Sequence, residues 1–325
     1  MASSDKKKVK KKVPEIKTFS VPFALDEINE SSPIKTQAPL KSTKEEIMNQ
    51  AFKFHSQGNI SDAIKYYQQF INQGLNDHRV FSNYGTILKD LGKLKEAEIS
   101  IRNAIELRPD YAIAHSNLGL ILKDLGKLQE GELSIRKAIE LNPNFADAHS
   151  NLGNTLKQLG KLKEAEISYR KAIELQPNFA EAHSNLGNIL KELDKFKEAE
   201  ISYRKAIELK PNYADAHHNL GNISMNLGNL KEAECSYRKA IEHRPDLIEA
   251  HTSLGFNLIN QQRLDEASSS FQSAINIQKD YKKAISGFGK VLMKQGKYLE
   301  GMKKLREGNG SIIFDYSNLK MTIVS

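Results

Sequence analysis

The sequence predicts an all-α protein: a right-handed superhelical solenoid of about eight helix-turn-helix repeats, each 34 residues long. The first observation is a Leu-Gly pair that recurs at this period, at Leu118-Gly119, Leu152-Gly153, Leu186-Gly187, Leu220-Gly221 and Leu254-Gly255. The second is alanine at two fixed places in the repeat, for example Ala165 and Ala172, and the third is a proline near its end, such as Pro177. A fixed period of this length indicates identical supersecondary units stacked in a row.

We number the repeat from Ala146, so that Leu-Gly occupies positions 7 and 8, alanine positions 20 and 27, and proline position 32. The central repeats are near-copies of one another, whereas the first and last are degenerate. Degenerate ends are expected, because a terminal repeat has one face without a neighbour. The predicted solenoid covers 44–307, with repeats 44–77, 78–111, 112–145, 146–179, 180–213, 214–247, 248–281 and 282–307.

Each repeat has the signals of two helices, which we call helix A and helix B. Asparagine or aspartate at position 33, such as Asn144 and Asn178, follows the proline and is expected to cap helix A of the next repeat. Helix A has apolar residues at helical spacing, and a glycine at position 15, such as Gly160, is expected to end it. Helix B follows, and small residues at positions 8, 20 and 27 allow the two helices to approach closely.

These residues resemble the tetratricopeptide repeat, whose pattern is Trp-x2-Leu-Gly-x2-Tyr, then Ala-x3-Phe, then Pro. Two motifs of the repeat are similar to the superhelical repeats of O-linked N-acetylglucosamine transferases: A-x-A-H-x-N-L-G-N, followed by E-A-E-x-S-Y-R-K-A-I-E-L-x-P. That resemblance implies that helix A lines a concave surface, where a ladder of asparagines grips extended substrates. Because 18 residues follow residue 307, we expect no counterpart of the catalytic glycosyltransferase domain.

Helix A is predicted to carry a polar stripe at positions 2, 6, 9 and 13, and asparagine holds position 6 in five consecutive repeats. Asparagine inside a helix costs a few tenths of a kcal/mol relative to alanine. The asparagines are either neutral passengers of recent duplication or a ladder of amide donors and acceptors for the main chain of a peptide. Lysines at position 12 would add attraction for an acidic ligand. The candidate peptide-binding residues are Asn83, Asn117, Asn151, Asn185, Asn219, Asn154, Asn188, Asn222, Lys123, Lys157 and Lys191.

Residues 1–43 are expected to form a disordered basic tail, which holds much of the net charge of +8. Its lysines would solubilise the chain, contact nucleic acid or another acidic surface, or act as a nuclear-import signal. No run of about 18 apolar residues predicts a membrane span, and no apolar segment after the lysines predicts a secretory signal. We expect a cytoplasmic protein, or a nuclear one in a eukaryote. The electrostatic tail residues are Lys6, Lys7, Lys8, Lys10, Lys11 and Lys12.

The sequence has no catalytic signature: no Gly-rich phosphate loop, nucleophile elbow, Cys-x-x-Cys or His-Glu-x-x-His. We therefore expect no enzyme activity, cofactor or metal. Histidine recurs at position 4, but stacked helices lie on the order of 10 Å apart, too far to share one zinc ion. We expect these rings to pack with one nitrogen hydrogen-bonded. The single cysteine, Cys235, replaces isoleucine or leucine at position 22 and is predicted to be a small buried hydrophobic residue.

Residues 308–325 are expected to form a C-terminal tail or a β-hairpin, because apolar, β-favouring residues lie on both sides of Ser317-Asn318. The hairpin would either cover the last repeat or pair with a second chain in a homodimer.

Three functions remain open on the sequence. The first is a non-enzymatic adaptor that binds an extended segment of another protein in the concave groove. The second is a substrate-targeting module for a glycosyltransferase or another enzyme acting in trans. The third is a nucleic-acid-associated scaffold that works through its lysine tail.

Overall fold

The computed structural model describes residues 43–309 and the backbone of 311–315 and 320–324. The basic tail and its six lysines lie outside the described residues. Within the described part, two helices form each repeat, and the first helix begins at Lys44, where the first repeat was predicted to begin. The all-α repeat prediction is confirmed.

The helices alternate between the two predicted types, and their bounds follow the 34-residue period. The A helices are α1 (Lys44–Ser56), α3 (His78–Asp90), α5 (Ala112–Asp124), α7 (Ala146–Gln158), α9 (Ala180–Glu192), α11 (Ala214–Asn226), α13 (Ile248–Asn260) and α15 (Lys282–Lys294). The B helices are α2 (Ile60–Asn72), α4 (Leu94–Leu107), α6 (Leu128–Leu141), α8 (Leu162–Leu175), α10 (Phe196–Leu209), α12 (Leu230–His243), α14 (Leu264–Ile277) and α16 (Tyr298–Asn309).

Two short strands follow the last helix. Strand β1 (Ser311–Asp315) pairs with β2 (Lys320–Val324) in antiparallel register, with Ile313 opposite Thr322. Their side chains lie outside the described residues, so the two roles considered for this segment stay predictions.

The described helices fall into two compact blocks, which we call the first block (43–177, α1–α8) and the second block (178–309, α9–α16). Within each block, every helix packs against the next one in the sequence. Helices A also pack against helices A of neighbouring repeats, α3 with α5 and α5 with α7 in the first block, and α9 with α11 and α11 with α13 in the second. Position 6 and position 9 therefore lie where successive A helices meet.

The core of the central repeats is an aromatic ring of helix B packed against the position-8 glycine of helix A. Tyr203 is completely buried, and a Cβ added to Gly187 would lie 2.7 Å from a carbon of its ring. Tyr169 and Tyr237 are equally buried in their repeats. Glycine recurs at this position because the ring needs the space of a side chain.

Helix A ends in a left-handed residue at position 15, as predicted. Gly160 has a φ of 74°, and its N–H donates to the carbonyl of Lys157. Two repeats place another residue in the same conformation, Asp194 with a φ of 58° and Gln262 with a φ of 61°. Left-handed backbone is costly for a residue with a Cβ, less so for aspartate, so Gln262 stores strain.

Replacing Gln262 with glycine is expected to raise the free energy of unfolding by roughly 0.5–1 kcal/mol, because relief of strain exceeds the extra entropy of the unfolded chain. Thermal unfolding followed by circular dichroism would measure the change. Asp194→Gly is the matched control and should gain less, since aspartate tolerates this conformation. A Gln262→Gly protein that is less stable than the wild type would show that the turn is not strained.

The predicted N-caps of helix A are wrong by one residue. The caps are Phe145 and Phe179 at position 34, not Asn144 and Asn178, and neither makes a side-chain capping bond. Phe179 is buried, so packing of its ring, and not a polar cap, fixes where the helix begins. Only the first two A helices have a polar cap of the expected kind within the described residues, from Thr43 and Asp77.

The prediction that Cys235 is buried is also wrong, because the residue is exposed. Position 22 lies on the outer side of helix B, where Ile201 of the preceding repeat is 68% exposed. The prediction was made from the isoleucine and leucine that hold this position in other repeats, and those side chains are themselves exposed.

Candidate functional site

Two amides of the second block form a linked pair at the contact of α9 and α11. The Nδ2 of Asn219 donates to the Oδ1 of Asn188 over 3.1 Å, and the Tyr203 hydroxyl donates to the same oxygen over 2.8 Å. Both asparagines are half-buried. Among the residues that the structure describes, the Nδ2 of Asn188 and the Oδ1 of Asn219 have no hydrogen-bond partner. The pair therefore offers one donor and one acceptor in neighbouring repeats.

The next amide in the second block is also held by its own repeat. The Oδ1 of Asn222 accepts a bond of 2.9 Å from the Tyr237 hydroxyl, and its Nδ2 lies 3.4 Å from the Nε2 of His218. Asn222 is half-buried, whereas Asn185, in the preceding repeat, is buried. The second block thus brings Asn185, Asn188, Asn219 and Asn222 to adjacent A helices.

In the first block, the predicted amides are more enclosed. Asn83, Asn117, Asn151 and Asn154 are all buried. The Nδ2 of Asn117 donates to Thr86 at position 9 of the preceding repeat over 3.3 Å. These side chains connect successive helices A, which explains in structural terms why an amide is kept at position 6.

Two further bonds place the remaining first-block amides. Asn151 lies 3.5 Å from the Ser116 hydroxyl, and Asn154 accepts a bond of 2.5 Å from the Tyr169 hydroxyl. Asn117 keeps one buried amide oxygen, Oδ1, without a partner among the described residues. A buried acceptor of this kind costs about 1–3 kcal/mol when it stays unpaired.

The three predicted lysines differ in their surroundings. Lys123 is buried, its Nζ lies 3.4 Å from the carboxylate of Asp124, and burial lowers the pKa of its ammonium group. Lys157 and Lys191 are half-buried. Burial places Lys123 away from the solvent through which it would attract an acidic ligand.

The tyrosine hydroxyls of helix B are site residues that the sequence analysis missed. In three central repeats, the tyrosine at position 24 donates to the asparagine at position 9 of the same repeat, over 2.5–2.9 Å. The signal was present, because tyrosine follows asparagine by 15 residues each time: Asn154 and Tyr169, Asn188 and Tyr203, Asn222 and Tyr237. This bond orients the position-9 amide within its own repeat.

The recurring histidines pack as expected, with one ring nitrogen hydrogen-bonded. His115, His149 and His217 each place Nε2 at 2.9–3.0 Å from the carbonyl oxygen of the proline six residues earlier. Residues 43–309 contain no group of three or more histidine, cysteine or acidic side chains placed to hold a metal ion. No helix in the described part of the chain is long and apolar enough to cross a bilayer.

Profiles of known families match these repeats directly. A profile described as a TPR repeat matches 85–126, 153–194 and 187–228, and three described as tetratricopeptide repeats match 112–145, 135–167 and 214–247. Together they run without a gap over 85–247, half of the chain. The chain belongs to the tetratricopeptide repeat family. This fold is a scaffold for protein–protein interaction and is typically not catalytic.

Solved structures of other tetratricopeptide repeat proteins are similar to parts of the chain. PilF of Pseudomonas aeruginosa is 20% identical with a TM-score of 0.54, over 59% of this chain and 88% of PilF, which shows the shared fold. YrrB, described as having an unusual peptide-binding site, is 26% identical with a TM-score of 0.49, over 57% and 95% of the two chains. MamA is 26% identical with a TM-score of 0.48, over 56% and 98%. No curated protein sequence matches the chain.

One tetratricopeptide repeat carries a histidine beside the amides. Burial lowers the pKa of His218 from 6.5 to about 4, with a smaller contribution from the charge of Lys191. Its Nε2 lies 3.2 Å from the Ser253 hydroxyl and 3.4 Å from the NH2 group of Asn222, an arrangement that suits a neutral ring accepting at Nε2. Protonation would place two donors against each other.

The tetratricopeptide array is therefore expected to lose about 1–2 kcal/mol of stability between pH 7 and pH 5 through this ring. Because the folded pKa is lower than the unfolded one, the contribution is complete above pH 6.5 and falls as the pH drops toward 4. Urea unfolding at pH 7 and pH 5 measures it. His218→Ser, which introduces the serine that the preceding repeats have at this position, should shrink the difference. An equal loss in both proteins would assign the pH dependence to other groups.

Proposed function

We propose that this tetratricopeptide repeat protein is a non-enzymatic adaptor that binds an extended segment of another protein along the polar face of its A helices. The observation that carries the proposal is the amide pair of the second block. The NH2 group of Asn188 has no hydrogen-bond partner among the described residues. The side-chain carbonyl oxygen of Asn219 also has no donor among them. A peptide group has one acceptor and one donor, so the pair matches a main chain whatever its side chains.

The spacing of the repeats supports an extended ligand. Neighbouring A helices in such packing lie about 8–10 Å apart. An extended chain advances about 3.3 Å per residue, so about three residues of ligand span one repeat. An amide in every repeat would then bind every third peptide group.

The resemblance to O-linked N-acetylglucosamine transferases supports the same mode of binding and adds a second candidate function. In that function, the amide face would hold a substrate for a glycosyltransferase, or another enzyme, acting in trans. Recovery of transferase activity with the purified chain from its native cell would favour it. The nucleic-acid contact through the lysine tail stays a prediction, as does the homodimer.

A library of unstructured peptides displayed on phage, selected on the full chain, tests the proposed function. We expect enrichment of peptides that share extended character, with no fixed side-chain motif at every position. Enriched peptides should bind Asn188→Ala/Asn219→Ala protein about 5–30-fold more weakly, from the loss of about 1–2 kcal/mol.

A matched control lies on the outer side of the same repeats. Lys197→Ala/Ile201→Ala removes two exposed side chains of α10 and should leave peptide affinity unchanged. If the enriched peptides bind the asparagine variant as tightly as the wild type, the amides do not form the binding site and the proposed function is wrong.

A further inference from the structure

The polar face of the A helices changes in character at α13 and α15. Position 9, which is asparagine in the three repeats before α13, is Phe256 on α13 and Lys290 on α15. Position 2, which is acidic in the four repeats before α15, is Lys283 on that helix. Because α13 packs against both α11 and α15, these residues continue the face that carries Asn219 and Asn222. Within the second block, the amides therefore give way to an aromatic ring and two lysines.

Both lysines contact the ring of Phe256. The Nζ of Lys283 lies 6.0 Å from the centre of that ring, and the Nζ of Lys290 lies 5.6 Å from it, distances at which an aromatic ring attracts a cation. Phe256 is half-buried, and its ring packs edge-on against Phe271 of α14, which is completely buried. This aromatic contact takes the place of the bond from tyrosine at position 24 to asparagine at position 9 in the three preceding repeats. Since the core fixes the ring, it holds both ammonium groups beside one place on the face.

Neither lysine is matched by a carboxylate. Lys283 and Lys290 are exposed, and within residues 43–309 neither makes an ion pair or a hydrogen bond through its side chain. Helix α15 contains four lysines and no aspartate or glutamate. The single acidic residue of α13, Glu249, is exposed and makes no ion pair with either lysine in the same range. Two ammonium groups on one ring repel each other, and an anion beside them would relieve that repulsion.

The first block contains the same cation–ring contact with its charge neutralised. Phe52 holds position 9 of the first repeat, and Arg79 holds position 2 of the second, with its guanidinium carbon 5.8 Å from the centre of the ring. There Asp77 supplies the counter-charge, because its carboxylate lies 3.1 Å from the guanidinium group. Before α15, the position that corresponds to Asp77 is held by Tyr281, which has no carboxylate. The second block thus keeps the contact between cation and ring without the acid that accompanies it in the first.

We propose that Lys283 and Lys290 bind an acidic side chain of the extended protein segment and so select segments that carry an acid toward one end. The inference rests on the proposed function, because it assigns a specificity site to the same face of the A helices. Amides that pair with a main chain do not by themselves select a sequence. The lysines lie on α15 and the amide pair on α9 and α11, so a carboxylate bound by the lysines also fixes the direction of the segment.

The charges of the second block favour a protein segment over nucleic acid. A site for single-stranded nucleic acid has positive charge along the whole path of the phosphate backbone. Here the position-2 residues of α9, α11 and α13 are Glu181, Asp215 and Glu249, so a backbone running along the face would meet a carboxylate on each of these helices. A protein segment can place a single acid at α15 and uncharged residues elsewhere.

The unstructured peptides selected on the full chain test this assignment. We expect them to share an aspartate or glutamate toward one end. One such peptide, synthesised with an amidated C-terminus so that no terminal carboxylate supplies the charge, should bind Lys283→Ala/Lys290→Ala protein about 3–10-fold more weakly than the wild type. Replacing its acidic residue with the corresponding amide should weaken binding to the wild type by a similar factor. In the lysine variant, that replacement should have no further effect.

A matched control removes two other lysines of the same repeat. Lys297→Ala/Lys303→Ala changes the net charge by the same amount, at exposed positions before and within α16. This variant should bind the acidic peptide with wild-type affinity. Equal losses in the two lysine variants would assign the effect to net charge and overturn the proposal.

The remaining outcomes separate the lysine site from the proposed function. Peptides that bind Asn188→Ala/Asn219→Ala protein more weakly, yet show no preference for an acidic residue, would support the adaptor function and overturn the lysine site. Failure to enrich any peptide would contradict both. Binding of a single-stranded oligonucleotide that is lost in Lys283→Ala/Lys290→Ala protein, without selection of acidic peptides, would replace the acidic side chain with nucleic acid.

Discussion

Replacing Tyr203 with alanine is expected to lower the free energy of unfolding by about 3–5 kcal/mol, the largest effect of any substitution considered. The ring is completely buried, fills the space opposite Gly187, and its hydroxyl orients Asn188. Removing it leaves a cavity between helices A and B of an interior repeat and takes away one of the two hydrogen bonds to the Asn188 oxygen. Because stability in such arrays depends on neighbouring repeats, the loss should also weaken the repeats on either side.

The matched control is Ile201→Ala, two residues earlier on α10. Ile201 is 68% exposed, so its truncation should change stability by less than about 0.5 kcal/mol. Tyr203→Phe keeps the ring and loses only the hydroxyl, and should cost about 1 kcal/mol. Urea unfolding followed by circular dichroism separates the three. Equal losses for Tyr203→Ala and Ile201→Ala would show that the buried ring does not hold the repeat together.

Replacing Asn188 and Asn219 with alanine together is expected to cost about 1–2 kcal/mol of peptide binding. Each amide would contribute about 0.5–1.5 kcal/mol to a bound main chain, and because the two are hydrogen-bonded to each other their contributions do not add in full. The substitutions also remove the bond from Asn219 to Asn188 and the bond that Asn188 accepts from the Tyr203 hydroxyl. Alanine offsets part of that loss through its higher helix propensity.

Fluorescence anisotropy with a library-selected peptide measures the loss, and helical circular dichroism shows that the variant is folded. Lys197→Ala/Ile201→Ala protein serves again as the control for substitution of the same repeats. If the folded double variant binds with wild-type affinity, these two asparagines are passengers of duplication held in place by their bonds within the protein.

The period of the sequence was sufficient to predict the fold and the residue at which helix A ends. Glycine at position 15 adopts the left-handed turn, and Gly187 leaves room for the ring of Tyr203, because backbone geometry and close helix packing permit few other residues there. These features depend on contacts within one repeat, so the same residue type recurs at the same position from repeat to repeat.

Side-chain exposure, helix starts and hydrogen-bond partners were not predicted, because they depend on neighbouring residues that the period of the sequence does not specify. Cys235 shares its apolar character with core positions but lies on the outer side of helix B. Asn144 has the chemistry of a cap, yet the half-buried Phe145 after it holds the N-cap position. The partners of the amides come from the neighbouring repeat or from helix B, and spacing alone did not place them. The polar stripe of helix A was predicted, whereas the hydrogen bonds that Tyr203 and Tyr237 donate to its asparagines were visible only in the structure.

Binding of one selected peptide, compared with the same peptide N-methylated at every third main-chain nitrogen, tests main-chain recognition most directly. N-methylation removes main-chain donors and keeps every side chain. We expect the peptide methylated in the register that faces Asn219 to bind the wild type at least about tenfold more weakly than the plain peptide, and we expect the difference to shrink in Asn188→Ala/Asn219→Ala protein. Equal affinity for the plain peptide and for all three methylated registers would contradict it.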